Sequence, residues 1–325
     1  MQKTTLPGHD MPGRAAVLLR LLHAAGYARP GTADVGLRHT VSHFLRCSLF
    51  LETFQDWFGN PANPALQEAL ARRPELVTCV VHPYLNSAWT AERKLGVISG
   101  HYQLLTSGLG FLRFAPPAFV VLADAGEGLQ IRLDKPGKFV HEGELTINLF
   151  SGELRLYSLV FTLGQTGLHR VAYAGGLQGL HSPDALDIYR TLTHHMNGLR
   201  PRDLLVTAFR LLCAALGVRR ILAISDQQRV STDTYFESSN QVFSSYDSAW
   251  LDSGGVAVED GFFELSPQVV HRPTEDIASR KRAQYRRRYA LIDDLARQIN
   301  AAVALATRAE TPVTPLAALP AAHQV

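Results

Sequence analysis

Cysteine is scarce. The chain of 325 residues has three, Cys47, Cys79 and Cys213, far apart and never in a CxxC pair. An odd, sparse set excludes a disulfide framework and a cysteine-based zinc site, so buried structural thiols are expected. Charge is also low: 19% of residues are charged, below the usual quarter, which argues against a disordered or heavily solvated chain. The formal net charge of +3 is too mild to demand a nucleic-acid partner. No apolar run reaches the roughly 18 residues of a membrane span. The run AAVLLRLLHAAG at 15–26 is broken by Arg20 and His23 and reads as a short amphipathic helix, not a signal peptide. A cytoplasmic location is expected, with peripheral contact to the inner membrane left open. HExxH, zinc-deaminase spacing, GxSxG and the P-loop are all absent. No metal is predicted.

What is present divides the chain into four parts. Residues 1–34 hold a leader and the short helix. Residues 35–114 read as a helical region: Leu37, Val41, Phe44 and Leu45 recur at helical spacing, Asn63 and Pro64 open another helix, and a further one covers about 90–107. Residues 115–302 are mixed. Leu145, Ile147 and Leu149 alternate with Thr146 and Asn148, Leu154 and Leu156 with Arg155 and Tyr157, and FSGEL at 150–154 suits a hairpin. An antiparallel meander of four or five strands results. Ser182 is a candidate cap for the next helix, Gly217 ends the one after it, and VRRILAIS reads as a central strand. A helical or irregular piece is expected over about 233–252. One long helix runs from about 274 to 306, with Tyr285, Tyr289, Ile292, Leu295 and Ile299 on its packing stripe. Residues 303–325, rich in proline and alanine, are expected to be disordered.

The stretch VAYAGGLQG at 171–179 is the first candidate site. Read as a loop after a strand, Gly175 and Gly176 allow close backbone approach, Gln178 adds an amide, and Gly179 ends the turn. Such a loop before a capped helix can hold an anion. The competing reading is a bulge and turn without a ligand. Arg200 and Arg202 flank Pro201 at a helix start, where they either join an anion or pair with Asp203. His169 and His181 flank the glycines as acid–base candidates, or are ordinary polar histidines. Ser225 and Asp226 stand at a strand end, with Gln227, Gln228 and Arg229 adding polar groups. Tyr246 and Trp250 suit the core. Asp247 is a general-base candidate or an orienter of Arg229.

The last candidate is SRKRAQYRRRY, with six cations from Arg280 to Arg288 and no acid among them. Arg280, Lys281, Arg282, Arg286, Arg287 and Arg288 could meet RNA, anionic lipid or an acidic protein, or close a cleft. No stacking platform for nucleic acid is visible, and sequence-specific nucleic-acid binding is not expected.

Together YAGGLQG, HHMNGLRPRDLLVTAFRLL, RILAISDQQRV, YDSAWLDSGG, GFFEL and SRKRAQYRRRYALIDDL resemble the VirK/YbjX-type family, also called the domain of unknown function 535 family, over about residues 35–302. That resemblance implies a link to bacterial envelope physiology, antimicrobial-peptide tolerance and virulence, and assigns no chemistry. The element order is also similar to acyltransferases of the acetyltransferase type. This second resemblance implies an α+β fold: a helical N-terminal region packed with a mixed, mainly antiparallel sheet and a long C-terminal helix. It implies a thioester donor, coenzyme A or an acyl carrier protein, near Gly175, Gly176, Gln178 and Gly179, with Arg200 or Arg202 balancing phosphate. GGLQG departs from the usual Q/RxxGxG/A pattern, and a broader donor such as aminoacyl-tRNA stays open. His169, His181 or Asp247 would take a proton from the acceptor, and Tyr246 would protonate the leaving thiolate. A non-enzymatic factor binding acidic lipid or protein through the basic helix is the alternative.

Overall fold

The computed structural model describes residues 13–25, 37–113, 118–230 and 245–309. The first helices are α1 (Arg14–Ala25), α2 (Leu37–Ser48), α3 (Leu51–Gly59), α4 (Pro64–Arg72), α5 (Thr78–Val81) and α6 (Ala91–Ser107). Local chemistry explains their starts. The Asn63 side chain accepts the Leu66 N–H at 3.3 Å with Pro64 in the first turn, and Thr90 accepts the Arg93 N–H at 3.3 Å. Five strands follow: β1 (Val120–Gly126), β2 (Leu129–Asp134), β3 (Leu145–Ser151), β4 (Leu154–Thr166) and β5 (His169–Gly179). Then come α7 (Ala185–His195), α8 (Pro201–Ala215), β6 (Val218–Ile224), α9 (Tyr246–Asp252), β7 (Val256–Val258), β8 (Phe262–Leu265) and α10 (Arg282–Ala309).

The strands form one sheet in the order β1-β2-β3-β4-β5-β6-β8-β7. The first five are an antiparallel meander, β5 and β6 are parallel, and the β7–β8 hairpin returns antiparallel to β6. The fold is α+β, as expected. α7 and α8 make the crossover that parallel pairing requires.

Alternation in β3 suggests one wet face, and this is where burial differs from the pattern. Thr146 and Asn148 are buried like their apolar neighbours, and Ser158 Oγ donates to Asn148 Oδ1 at 2.6 Å. Helices cover both sides of the central strands, so these polar side chains are buried too: Asn148 is satisfied by Ser158, while the Thr146 hydroxyl has no hydrogen-bond partner among the described residues. One continuous apolar core runs from Val17 and Leu21 of α1 through the sheet to Leu295 and Ile299 of α10. All three cysteines are buried in it.

Two boundaries shift from the sequence reading. The C-terminal helix begins at Arg282, not near 274, because Thr274–Asp276 is a short 3₁₀ turn and Ile277 is extended and buried. It continues to Ala309 and buries Val303, so the expected disordered tail from 303 starts inside the helix. The rest of that tail, the leader before 13 and most of the 233–252 piece lie outside the described residues.

Candidate functional site at the split between the parallel strands

GGLQG is not a loop. Gly175 to Gly179 are the last residues of β5, and neither Gly175 nor Gly176 has a left-handed backbone. Phe161 pairs with Ala174 and Val160 with Gly176, which leaves Gly175 as the extra residue of a β-bulge. The parallel ladder with β6 stops at Ala174↔Ala223. Beyond it β5 pairs with β4 alone, and the sheet opens on the β6 side.

Two inserted segments reach this opening. A Cβ on Gly175 would collide with the carbonyl oxygen of Glu142 and lie 3.1 Å from Leu85 Cγ, and one on Gly176 would collide with the Glu142 carboxylate. The glycines are therefore required by Glu142, which packs directly on the strand. Leu85 itself has φ +59°, a costly conformation for a bulky residue, held by its N–H bonding to the carbonyl of His141 at 2.7 Å. Gly175→Ala is expected to cost about 1–3 kcal/mol or more, since a backbone oxygen must move. Gly176→Ala should cost less, because there a side chain can turn away. Urea denaturation of the two variants checks the order, and equal stability of Gly175→Ala and wild type would contradict the packing.

A polar chain crosses the opening. Gln178 Nε2 donates to Tyr246 Oη at 2.8 Å and to Glu142 Oε1 at 3.2 Å. Burial, then the Glu142 charge, pushes the Tyr246 phenol well above its ordinary value, so it stays protonated at neutral pH. The Arg229 guanidinium lies 4.8 Å from the Tyr246 ring centre and pairs with Asp226 Oδ1 at 3.2 Å. Asp226 in turn holds the start of α9. Its carboxylate accepts the Tyr246 N–H at 2.9 Å and the Ser245 hydroxyl at 2.6 Å. Asp247 Oδ1 accepts the Asp226 N–H at 2.7 Å, so this side chain fastens α9 to the end of β6. Arg229 is oriented by Asp226. The Ser225 hydroxyl is buried with no hydrogen-bond partner among the described residues.

The other candidates fall elsewhere. His169 is exposed at the first position of β5, roughly 30 Å along the strand from Gly179. His181 and Gln227 are exposed. Ser182 Oγ accepts the Asp184 N–H at 3.2 Å, and α7 starts two residues later than expected, with Asp184 as its uncapped first flank. Arg202 bonds Asp203 at 2.8 Å and Asp252 at 2.5 Å, and the exposed Arg200 lies 3.8 Å from Asp252. These are the carboxylate pairings weighed against phosphate binding. In the basic run Arg282 donates to the Ile277 carbonyl at 3.0 Å, Arg287 to Asn197 Oδ1 at 2.8 Å and Arg288 to the Asn197 carbonyl at 3.1 Å. Arg280, Lys281 and Arg286 are exposed and have no acidic partner among the described residues.

The structure thus joins Gly175, Gly176, Gln178, Arg229, Tyr246 and Asp247. Glu142 and Leu85 escape sequence reasoning. HEGE at 141–144 and HPYLNS at 82–87 carry no motif, and only the fold brings them to β5.

A family model described as "Protein of unknown function (DUF535)" matches residues 36–301. The chain belongs to the DUF535 family. It is 26% identical over 308 residues to an uncharacterised protein, YbjX, of Escherichia coli (strain K12), covering 92% of each chain. It is 33% identical over 141 residues to an uncharacterised Haemophilus influenzae protein, covering 43% of this chain and 47% of that one. It is 26% identical over 168 residues to a Mannheimia haemolytica protein named membrane protein LapB, covering 50% of this chain and 71% of that one. No solved structure matches. The DUF535 match spans both insert segments and the β5–β6 split. No helix among the described residues is long and apolar enough to cross a membrane.

Proposed function

We propose that this DUF535 protein transfers an acyl group from a carrier-protein thioester to an amine or hydroxyl at the β5–β6 opening. The observation that carries the reading is the Glu142–Gln178–Tyr246 chain beside the Gly175 bulge. A carboxylate and a protonated phenol share one amide at the C-terminal ends of the parallel β5–β6 pair, where ligands collect in sheets with crossovers. The strand order, a meander followed by one parallel pair and a returning hairpin, supports an acetyltransferase-like core.

In the reaction Glu142 takes a proton from the acceptor, whose N or O attacks the thioester carbon. The C–S bond breaks as the new bond forms. Tyr246 gives its proton to the leaving sulfur. Gln178 donates to both groups, so it positions them and leaves the phenol proton uncommitted.

Coenzyme A fits poorly at the start of α7. Asp184 and Asp187 stand there, and carboxylates at a helix N-terminus disfavour a pyrophosphate. An acidic carrier has a better surface in Arg280 and Lys281, exposed just before α10, and Arg286, exposed on the first turns of α10, which dock on the α7–α8 turn.

The test is thiol release from acyl carrier protein, acyl-coenzyme A and aminoacyl-tRNA donors, with native mass spectrometry of each mixture. Tyr246→Phe is expected to slow carrier-dependent release roughly 10²-fold with carrier affinity unchanged. Absence of both release and complex with all three donors would sink the reading. A second reading, a factor that holds an acidic lipid or protein on the same basic segment without chemistry, is favoured by the close packing of Glu142 on Gly175 and Gly176. The membrane-protein name of the Mannheimia relative fits a peripheral place at a membrane in either reading. Binding to anionic vesicles, absent for neutral ones and without thiol release, would select it.

A further inference from the structure

A cavity of ≈ 440 Å³ lies away from the strand split, between α4, α6, Arg113 and the β2–β3 connection. This is an ordinary size for a small-ligand site. Its floor is apolar, made by Ala65 and Ala69 of α4 and Leu105 of α6. Its inner wall carries Arg73, Tyr102 and Lys135, and its rim carries Arg72 and Arg113.

The polar groups are unevenly satisfied. Glu68 joins both rim arginines, to Arg72 at 3.0 Å and Arg113 at 2.5 Å. Arg73 donates to Glu75 at 3.2 Å and to Glu144 at 2.8 Å, while its Nη2 is buried with no hydrogen-bond partner among the described residues. Its side chain is only 15% exposed. A buried guanidinium that is incompletely satisfied is costly, and an oxygen anion in the cavity would add to its acceptors. Lys135 Nζ stands on the same wall, donating to the Leu112 carbonyl at 2.9 Å. Burial, then Arg73, pulls this ammonium down to about 7, against the opposing pull of Glu144, Asp134 and Glu68. Three arginines, and Lys135 as it takes up a proton beside an incoming anion, face or rim the cavity against Glu68 and Glu75, with Glu144 behind Arg73. The excess suits a ligand with one or few charges. The floor offers no polar partner and suits an apolar body.

We infer that this cavity binds a medium-chain carboxylate, its carboxylate on the Arg73 guanidinium and Lys135 and its chain on Ala65, Ala69 and Leu105. The site is separate from the transfer residues. It still touches the same segment: Glu144, which anchors the wall, is two residues from Glu142, and Gly143 between them lies so close to the Phe161 backbone that a Cβ there would meet its carbonyl carbon at 2.8 Å.

Calorimetric titration with decanoate tests the assignment, with acetate supplying charge without chain, decanol chain without charge, and decyl phosphate a second charge. The full chain is expected to take up one decanoate and to bind acetate and decanol at least tenfold more weakly. Ala69→Phe should abolish binding by filling the floor. Lys135→Met should weaken it at least tenfold while keeping the apolar stem. Arg113→Gln, at the 40% exposed rim, serves as a variant that perturbs folding least and should weaken binding severalfold. Arg220→Ala, in an exposed ion pair with Glu264 on the sheet, should bind as wild type does. Equal decanoate binding by wild type, Lys135→Met and Arg113→Gln would overturn the site, as would no binding by wild type. Tighter binding of decyl phosphate than decanoate would overturn the carboxylate assignment.

Discussion

Acidifying the protein from pH 6.5 to about 4.5 is expected to remove several kcal/mol of its stability, because buried neutral histidines must charge when it unfolds. His43 and His82 stack with ring centres 5.0 Å apart and share a 2.9 Å hydrogen bond, with the Cys47 sulfur 3.3 Å from His43. His101 Nδ1 accepts the Leu163 N–H at 3.2 Å, and His141 Nδ1 lies 2.8 Å from the Pro83 carbonyl. Burial is the largest cause in each case: it holds His43 and His141 down to about 4, His101 to about 3 and His82 to about 2, against an ordinary 6.5. The like charges of Arg46 on His43, and of His43 and His141 on His82, add to it. The unfolded chain binds these protons below pH 6.5 and the folded chain does not. The contribution is therefore complete above 6.5 and is lost as pH falls toward the folded values. Each buried histidine adds on the order of 1 kcal/mol per pH unit inside that window. Urea denaturation at several pH values, with proton uptake on unfolding, reads the slope. His101→Gln should flatten part of it. A stability that is level between pH 7 and 5 would show that these rings do not stay neutral.

Glu144→Ala is expected to cost about 3–5 kcal/mol, the range for removing one partner of a buried ion pair. Glu144 is fully buried just before β3. Arg73 reaches it at 2.8 Å, Tyr102 at 2.7 Å and Tyr84 at 3.1 Å. Without it the Arg73 guanidinium keeps Glu75 and the Tyr102 hydroxyl, and Tyr84 keeps Thr162 at 2.9 Å. A buried charge has then lost its main counter-ion. Burial works against the Glu144 carboxylate, but Arg73, His101 and Tyr102 outweigh it and hold the carboxyl below its ordinary 4.5. Its contribution is present above that value and is lost only as pH falls further, through the folded value. The histidine loss thus begins near 6.5, ahead of the Glu144 loss, and the two overlap below 4.5; in Glu144→Ala the part of the slope that Glu144 adds below 4.5 should vanish. The urea midpoint should fall with the slope unchanged. A midpoint like that of wild type would mean that the pair contributes nothing.

Much of the local structure was legible in the chain. Asn63 and Thr90 bond amides three residues on, Gly217 closes α8 with φ +69°, and the β3–β4 hairpin turns at Gly152 with φ +55°. These interactions join near neighbours, so residue type and spacing reveal them. The basic run was legible as composition, but not that Arg287 and Arg288 would be spent on Asn197, 90 and 91 residues away. GGLQG was ambiguous for a physical reason. Glycine tolerates strand and turn alike, and only pairing with β4 decided for strand. The candidate site was half legible. Gln178, Arg229, Tyr246 and Asp247 stand out as polar groups next to apolar runs, and a strand end explains them. Glu142 does not, because its role comes from packing against Gly176, 34 positions later, and from the amide of Gln178, 36 positions later. The cavity is less visible still, since Ala69, Leu105 and Lys135 belong to three elements with no shared periodicity. The order of elements and the family signature were thus determined by the sequence itself, through contacts a few residues long. Which glycine meets which carboxylate, and which acids the buried Arg73 meets, was decided by tertiary structure, because those contacts exist only once distant segments have been brought to the same place.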